Sequence, residues 1–148
     1  MDKIRLAIVD DHALFREGLV AILGNEPDLE FVAQGACAEE ALQLARSLLP
    51  DILILDLNMP GGGLNAARAL AEALPQVKLM ILSGSNEAED VLNALQAGSR
   101  AYVLKGVTAR ELVAILHRVQ AGERYVTPAL AANLHLEIKT EGRKMGRG

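Results

Sequence analysis

Residues 51–60 read Asp51-Ile52-Leu53-Ile54-Leu55-Asp56-Leu57-Asn58-Met59-Pro60, four aliphatic side chains in a row held between two carboxylates. An uninterrupted apolar run of that length fits a strand covered on both faces, as in a parallel sheet. Working outward, Ile4–Val9, Lys78–Leu82 and Ala101–Leu104 repeat the pattern, and Phe31–Ala36 is a more polar fifth strand. Amphipathic segments lie between them. Phe15, Leu19, Ile22 and Leu23 share one helical stripe, and Leu112, Ile115, Leu116 and Val119 share another. Thr108-x-x-Glu111 is a capping box that starts the last of these helices, and Gly122 is its stop. Pro50 and Gly98 close the second and fourth helices. Five alternating β–α units predict a doubly wound α/β fold: a five-stranded parallel sheet with five helices on its two faces.

Composition narrows the classes. Apolar residues make up 51 % of the 148 and aromatics 3 %, with no Trp, so the core is expected to be aliphatic. A net charge of −4 argues against a basic nucleic-acid-binding domain. The longest uncharged stretches, 57–67 and 125–136, are too short for a membrane span, and residues 1–5 lack the apolar run of a signal peptide. Cys37, the single cysteine, allows no internal disulfide. A soluble, cytoplasmic protein is expected. Past Tyr125 the pattern changes: Thr127 and Pro128 can start a short helix to Glu137, and 138–148 hold three Gly and a net +3 charge. The expected division is therefore a folded unit over 1–124, a linker helix within 125–137 and a flexible tail over 138–148.

In a doubly wound sheet, ligands sit outside the carboxyl ends of the strands. Strand one runs into Asp10-Asp11, strand three into Asp56, strand four into Ser83-Gly84 and strand five into Lys105. Three carboxylates in one crevice need something to offset their repulsion. A hard dication such as Mg²⁺ does so with oxygen ligands and leaves room for a phosphate. Lys105 supplies a point charge for a phosphoryl oxygen, and Ser83 can donate to another. With both cations in place, Asp56 becomes a nucleophile towards a phosphoryl group, giving an acyl phosphate. Taken singly, each feature has a plain structural reading: a helix cap for Asp10-Asp11, a loop cap for Asp56, a solvated charge for Lys105. Four strand ends delivering the whole set favours the functional one. Gly61-Gly62-Gly63 lacks the Lys-Ser/Thr ending of a P-loop and reads as a flexible turn. His12, His117 and His135 have no metal-ligand spacing and read as solvated or packed side chains.

Over residues 3 to 123 the sequence resembles the receiver domain of two-component response regulators. Ile8-Val9-Asp10-Asp11-His12 is similar to the family's acidic pair, and Asp56-Leu57-Asn58-Met59-Pro60-Gly61 to its phosphoacceptor loop. Ser83 stands at the hydroxyl switch position, Tyr102 at the aromatic switch position and Lys105 at the lysine position. The wording of 11–19 and 94–105 is most like the NarL/FixJ (LuxR-type) subfamily. The resemblance implies a flavodoxin-like strand order 2-1-3-4-5. It also implies Mg²⁺ held by Asp11, Asp56 and the main-chain carbonyl of Asn58, with Asp10 acting partly through water. Asp56 would accept phosphate from a sensor histidine kinase, drawing Ser83 inward so that Tyr102 turns in. Such a switch is not an enzyme in the ordinary sense, beyond its own phosphorylation and dephosphorylation. Its implied partners are the kinase and a homodimer mate. DNA would be reached only through a C-terminal helix-turn-helix domain absent from this chain, with output through transcription. No membrane contact is implied. Rival readings are a stand-alone receiver, an Mg²⁺-dependent aspartyl-phosphate phosphohydrolase, and a binding module with a degenerate site.

Overall fold

The computed structural model describes residues 3–132. In chain order the elements are β1 (Ile4–Val9), α1 (Ala13–Leu23), β2 (Leu29–Gly35), α2 (Ala38–Leu48), β3 (Ile52–Leu55), α3 (Gly63–Ala73), β4 (Lys78–Ser83), α4 (Ala88–Gln96), β5 (Ala101–Leu104), α5 (Ala109–Gln120) and β6 (Tyr125–Val126). All strand pairs are parallel, in the order β2-β1-β3-β4-β5-β6. The doubly wound fold and the order of its first five strands are as expected. Alternation along each central strand divides the core in two. Ile52 and Ile54 of β3 face the layer of α1 and α5, together with Leu6, Ile8, Met80, Leu82, Val103, Leu112 and Leu116. Leu53 and Leu55 face the layer of α2, α3 and α4, with Val9, Ile81, Tyr102, Ala41, Ala67, Leu70 and Val91. Small residues dominate that second layer, which lets its helices sit close to the sheet.

Register brings the site together. Val9 is level with Leu55, and Leu55 with Ile81, so β1, β3 and β4 run out of sheet at the same height. Ser83 pairs with Leu104 at the end of β4–β5, and the Lys105 N–H donates to the Ser83 carbonyl at 2.8 Å. At the opposite end, Asp51 locks β3 to β1 by accepting from the Arg5 N–H at 2.8 Å.

Three boundaries differ from the sequence reading. First, β2 spans Leu29–Gly35 rather than 31–36, because Ile4 already pairs with Leu29 and the register shifts by one between Leu6 and Ala7. Second, the sheet has a sixth strand. Tyr125 and Val126 pair with Ala101 and Tyr102, so the segment expected to begin a linker first joins the sheet edge. Helical geometry then runs from Pro128 to Ala132, and Leu130 is buried. Residues 133–137 of the expected linker helix and the expected tail, 138–148, lie outside the described residues. Third, Gly61-Gly62-Gly63 is a tightly specified turn rather than a flexible one. Gly61 and Gly62 adopt φ +89° and +84°, and a Cβ on Gly63 would lie 2.2 Å from the Asp56 carbonyl oxygen. The start of α3 therefore presses directly on the loop that carries Asp56.

The expected helix signals otherwise hold. The Thr108 side chain accepts from the Glu111 N–H at 3.1 Å, and Gly122 takes φ +97° just after α5. Leu49, before Pro50, takes a left-handed φ of 46° that ends α2.

Candidate functional site

Asp10 follows β1, Asp56 follows β3 and Lys105 follows β5, and the register just described places them side by side. Lys105 Nζ lies 2.8 Å from Asp10 Oδ2 and 3.7 Å from Asp56 Oδ2. The same ammonium sits 4.5 Å from the centroid of the Phe15 ring on α1. Asp10 and Asp56 are buried, while Asp11 faces outward on the rim. The acidic pair does not serve as a side-chain cap for α1. His12 is the N-cap residue, and Asp10 Oδ1 accepts its N–H at 2.8 Å.

His12 is solvated, as the sequence reading has it, but its ring also joins the acidic group. Its Nδ1 lies 2.9 Å from Asp10 Oδ1, 3.3 Å from Asp11 Oδ1 and 3.8 Å from Asp56 Oδ2. A carboxylate only accepts, so Nδ1 carries the proton it donates to Asp10. Absence of metal-ligand spacing to the other histidines hid this role; adjacency to the acidic pair was the available signal. Arg16, one turn into α1, was also missed. It donates to the Asp10 carbonyl and to Gln34 Oε1, tying the β1–α1 loop to β2.

The two buried carboxyls differ in electrostatics. Burial pushes the Asp56 carboxyl above its ordinary range, and the neighbouring Asp10 charge adds to this more than Lys105 offsets. Burial opposes ionisation of Asp10 as well, but there Lys105 and the His12 hydrogen bonds prevail and hold the carboxyl below its ordinary range. Asp56 Oδ2 has no hydrogen-bond partner, although it is enclosed by protein. An orphaned anionic oxygen of this kind is costly unless a cation reaches it. Carboxylate oxygens of Asp10, Asp11 and Asp56 lie within 4.8 Å of one another, a spacing that fits one divalent cation; the His12 ring shares the group, but its Nδ1 carries a proton and is no ligand. Above them opens a cleft of about 510 Å³, lined by His12, Phe15, Asp56, Asn58, Gly84 and Lys105. It is wide enough to admit a phosphoryl group on a protein side chain.

Ser83 and Tyr102 form a second group beside the first. Ser83 Oγ is buried and accepts from the Ser85 N–H at 3.0 Å; the Tyr102 hydroxyl donates to the Ser85 carbonyl at 2.9 Å. Tyr102 is fully buried, so the aromatic ring expected to turn in already lies inside. Burial pushes its phenol upward, keeping it a donor at neutral pH.

A flavodoxin-like sheet with an acidic crevice and a strand-end lysine is the arrangement of signal-receiver domains. Residues 6–117 match the family model described as the response regulator receiver domain. The chain is 38 % identical over 135 residues to the response regulator GacA of Pseudomonas aeruginosa, covering 90 % of this chain and 63 % of that protein. It is 35 % identical over 147 residues to the nitrate/nitrite response regulator NarL of Escherichia coli K12, covering 96 % and 68 %. Among solved structures, a LuxR-family two-component response regulator from Aurantimonas sp. SI85-9A1 superposes with a TM-score of 0.86 at 33 % identity, covering 92 % of this chain and 98 % of that one. The signal receiver domain of the putative response regulator NarL from Mycobacterium tuberculosis gives 0.80 at 32 %, covering 83 % and 100 %. The chain belongs to the response regulator receiver family, in its NarL/LuxR-type branch. It spans about three fifths of the length of GacA and of the Brevibacillus brevis regulator DegU, 63 % and 59 %. No helix among the described residues is long and apolar enough to cross a membrane.

Proposed function

We propose that this receiver takes a phosphoryl group onto Asp56 from the phosphohistidine of a sensor kinase. The observation that carries this reading is the buried Asp56 Oδ2 without a partner, set beside Lys105 and an acidic pair. A carboxylate oxygen of Asp56 attacks phosphorus, the phosphorus–nitrogen bond of the phosphohistidine breaks, and the kinase imidazole leaves with its electron pair. Asp10, Asp11, Asp56 and the Asn58 carbonyl would hold Mg²⁺, which supplies charge neutralisation and orients the incoming oxygens. Lys105 gives up part of its hold on Asp10 to pair with a phosphoryl oxygen, and Ser83 donates to another. In this reading residues 1–124 are the receiver proper and 125–137 its linker. Output is control of transcription in a full-length regulator, by analogy with the relatives. The kinase and a second copy are the partners, DNA is reached through a further C-terminal domain, and the setting is the cytoplasm.

Treatment with Mg²⁺ and acetyl phosphate should add one phosphoryl group, mapped by mass spectrometry to Asp56 and absent from Asp56→Asn. Asp11→Asn should weaken Mg²⁺ binding at least tenfold by fluorescence or calorimetric titration, since it removes a direct oxygen ligand. Phosphate found on a serine or threonine would end the proposal.

A further inference from the structure

We infer that Phe15 is a positioning residue for phosphoryl capture: its ring face holds the Lys105 ammonium in the crevice while that ammonium changes anionic partners. This role rests on the phosphoacceptor reading above and goes beyond it in naming what steers Lys105.

Phe15 stands on the apolar stripe of α1 and packs against the core beneath that helix. An aliphatic side chain could fill the same space, as Leu19 and Val20 do further along the stripe. The chain has only two phenylalanines, yet one of them sits here with its ring centroid 4.5 Å from Lys105 Nζ. An aromatic face carries partial negative charge and attracts a cation within about 6 Å of its centroid, which an aliphatic group does not. The lysine side chain is 20 % exposed, so water competes weakly for the ammonium and the ring holds it more firmly than at an open surface.

Two openings meet at this pair. Leu14, Phe15 and Lys105 line both the cleft above Asp56 and an apolar cavity of about 310 Å³ between α1 and the start of α5. A flexible four-carbon stem that ends between two open spaces needs a fixed partner to choose one of them. Asp10 is that partner at 2.8 Å, with Asp56 at 3.7 Å. Asp10 is also the partner that Lys105 partly leaves when a phosphoryl group arrives. A hydrogen bond is directional and breaks on such a shift, whereas attraction to a ring face tolerates it. Phe15 therefore keeps the ammonium on the crevice side while Asp10 lets go. Without the ring, a smaller fraction of the molecules presents Lys105 to the phosphoryl group, and apparent affinity falls by that fraction.

Replacing Phe15 by a ring-trifluorinated phenylalanine tests this, because fluorination keeps the shape of the ring and withdraws charge from its face. Beryllium fluoride, as the phosphoryl stand-in, is titrated into the whole chain at saturating Mg²⁺ and followed by the NMR shifts of the Asp56–Asn58 amides. Its apparent affinity should fall about fivefold in the variant, the worth of one well-shielded cation–π contact. Mg²⁺ affinity without beryllium fluoride and the Tm should stay at their parental values. Phe15→Tyr, which retains the ring face, should bind as the parent does, and Phe15→Leu should bind as the fluorinated variant does. A fluorinated variant within about twofold of the parent overturns the role of the ring face. An equal loss of Mg²⁺ affinity also overturns it, because the ring would then act on the acidic group rather than on Lys105. In either case the phosphoacceptor reading stands. No shifts in the parent chain overturn that reading and the role of Phe15 with it.

Discussion

At Asp56 the protein keeps a buried charge that its own fold does not satisfy. The carboxyl is raised above the ordinary 3.8 by burial first and by Asp10 second. Its folded form therefore binds protons more readily than its unfolded form, and stability falls as pH rises from 3.8 through the raised value. Asp56→Asn removes that penalty. In the metal-free protein at pH 7 the variant should be the more stable of the two, because the penalty of holding the buried charge is gone. The advantage should fade as pH falls below 4, where the carboxyl is protonated in both states. Urea denaturation in EDTA across pH 3.5 to 7.5 measures it, and a variant less stable at pH 7 would refute the orphan-charge account. Asp10 behaves oppositely: its depressed carboxyl contributes stability above the ordinary value that is lost only as pH falls through the lower folded one. One crevice thus holds a carboxyl that stabilises the fold beside one that strains it.

At the level of elements, the β3–α3 turn and the segment after α5 carry the least redundancy. Gly63 admits the start of α3 to within contact of the Asp56 carbonyl, where any side chain would collide with backbone. Gly63→Ala should cost about 3 kcal/mol or more, since neither the strand end nor the helix can give way cheaply. Its denaturation midpoint should fall accordingly, and Mg²⁺ affinity with it, because the turn places Asp56 and Asn58. A cost under about 1 kcal/mol would mean that the turn relaxes freely. Leu130 is the contrary case. Leucines buried in a cooperative core lose about 2–5 kcal/mol on truncation to alanine. Leu130→Ala should lower global stability by less than about 1 kcal/mol, because the short edge segment that carries it, residues 125–132, opens before the domain unfolds. Calorimetry would show a nearly unchanged Tm while Thr127 exchange accelerates.

For the molecule as a whole, charge decides what it meets alone. The chain carries a net −4, and residues 1–137 alone carry −7. Sequence-specific DNA reading requires a recognition element in a groove and several phosphate-neutralising cations. Titration of labelled duplex with this 148-residue chain should give only weak, salt-sensitive and sequence-independent binding. A footprint at physiological salt would contradict that expectation. The RcsB dimers solved on DNA share the fold at 20 % identity, and the likeness extends no further than fold.

Much of this architecture was legible from local pattern. Four apolar residues ending in Asp56, repeated at Ile4–Val9, Lys78–Leu82 and Ala101–Leu104, determine a parallel sheet because only strands covered on both faces tolerate such runs. The wound topology then sends Asp10, Asp56, Ser83 and Lys105 to one end of it. Tertiary structure decided what depends on register and distance. Tyr125–Val126 is too short to show a period, so its place beside β5 follows from pairing and from Leu130 finding the core. His12 lies among three carboxylates because of where α1 begins, and Tyr102 lies inside because the Ser85 carbonyl is there to receive its hydroxyl. Hydrophobic periodicity records whether a residue is buried; which neighbour it is buried against is settled only when distant segments meet.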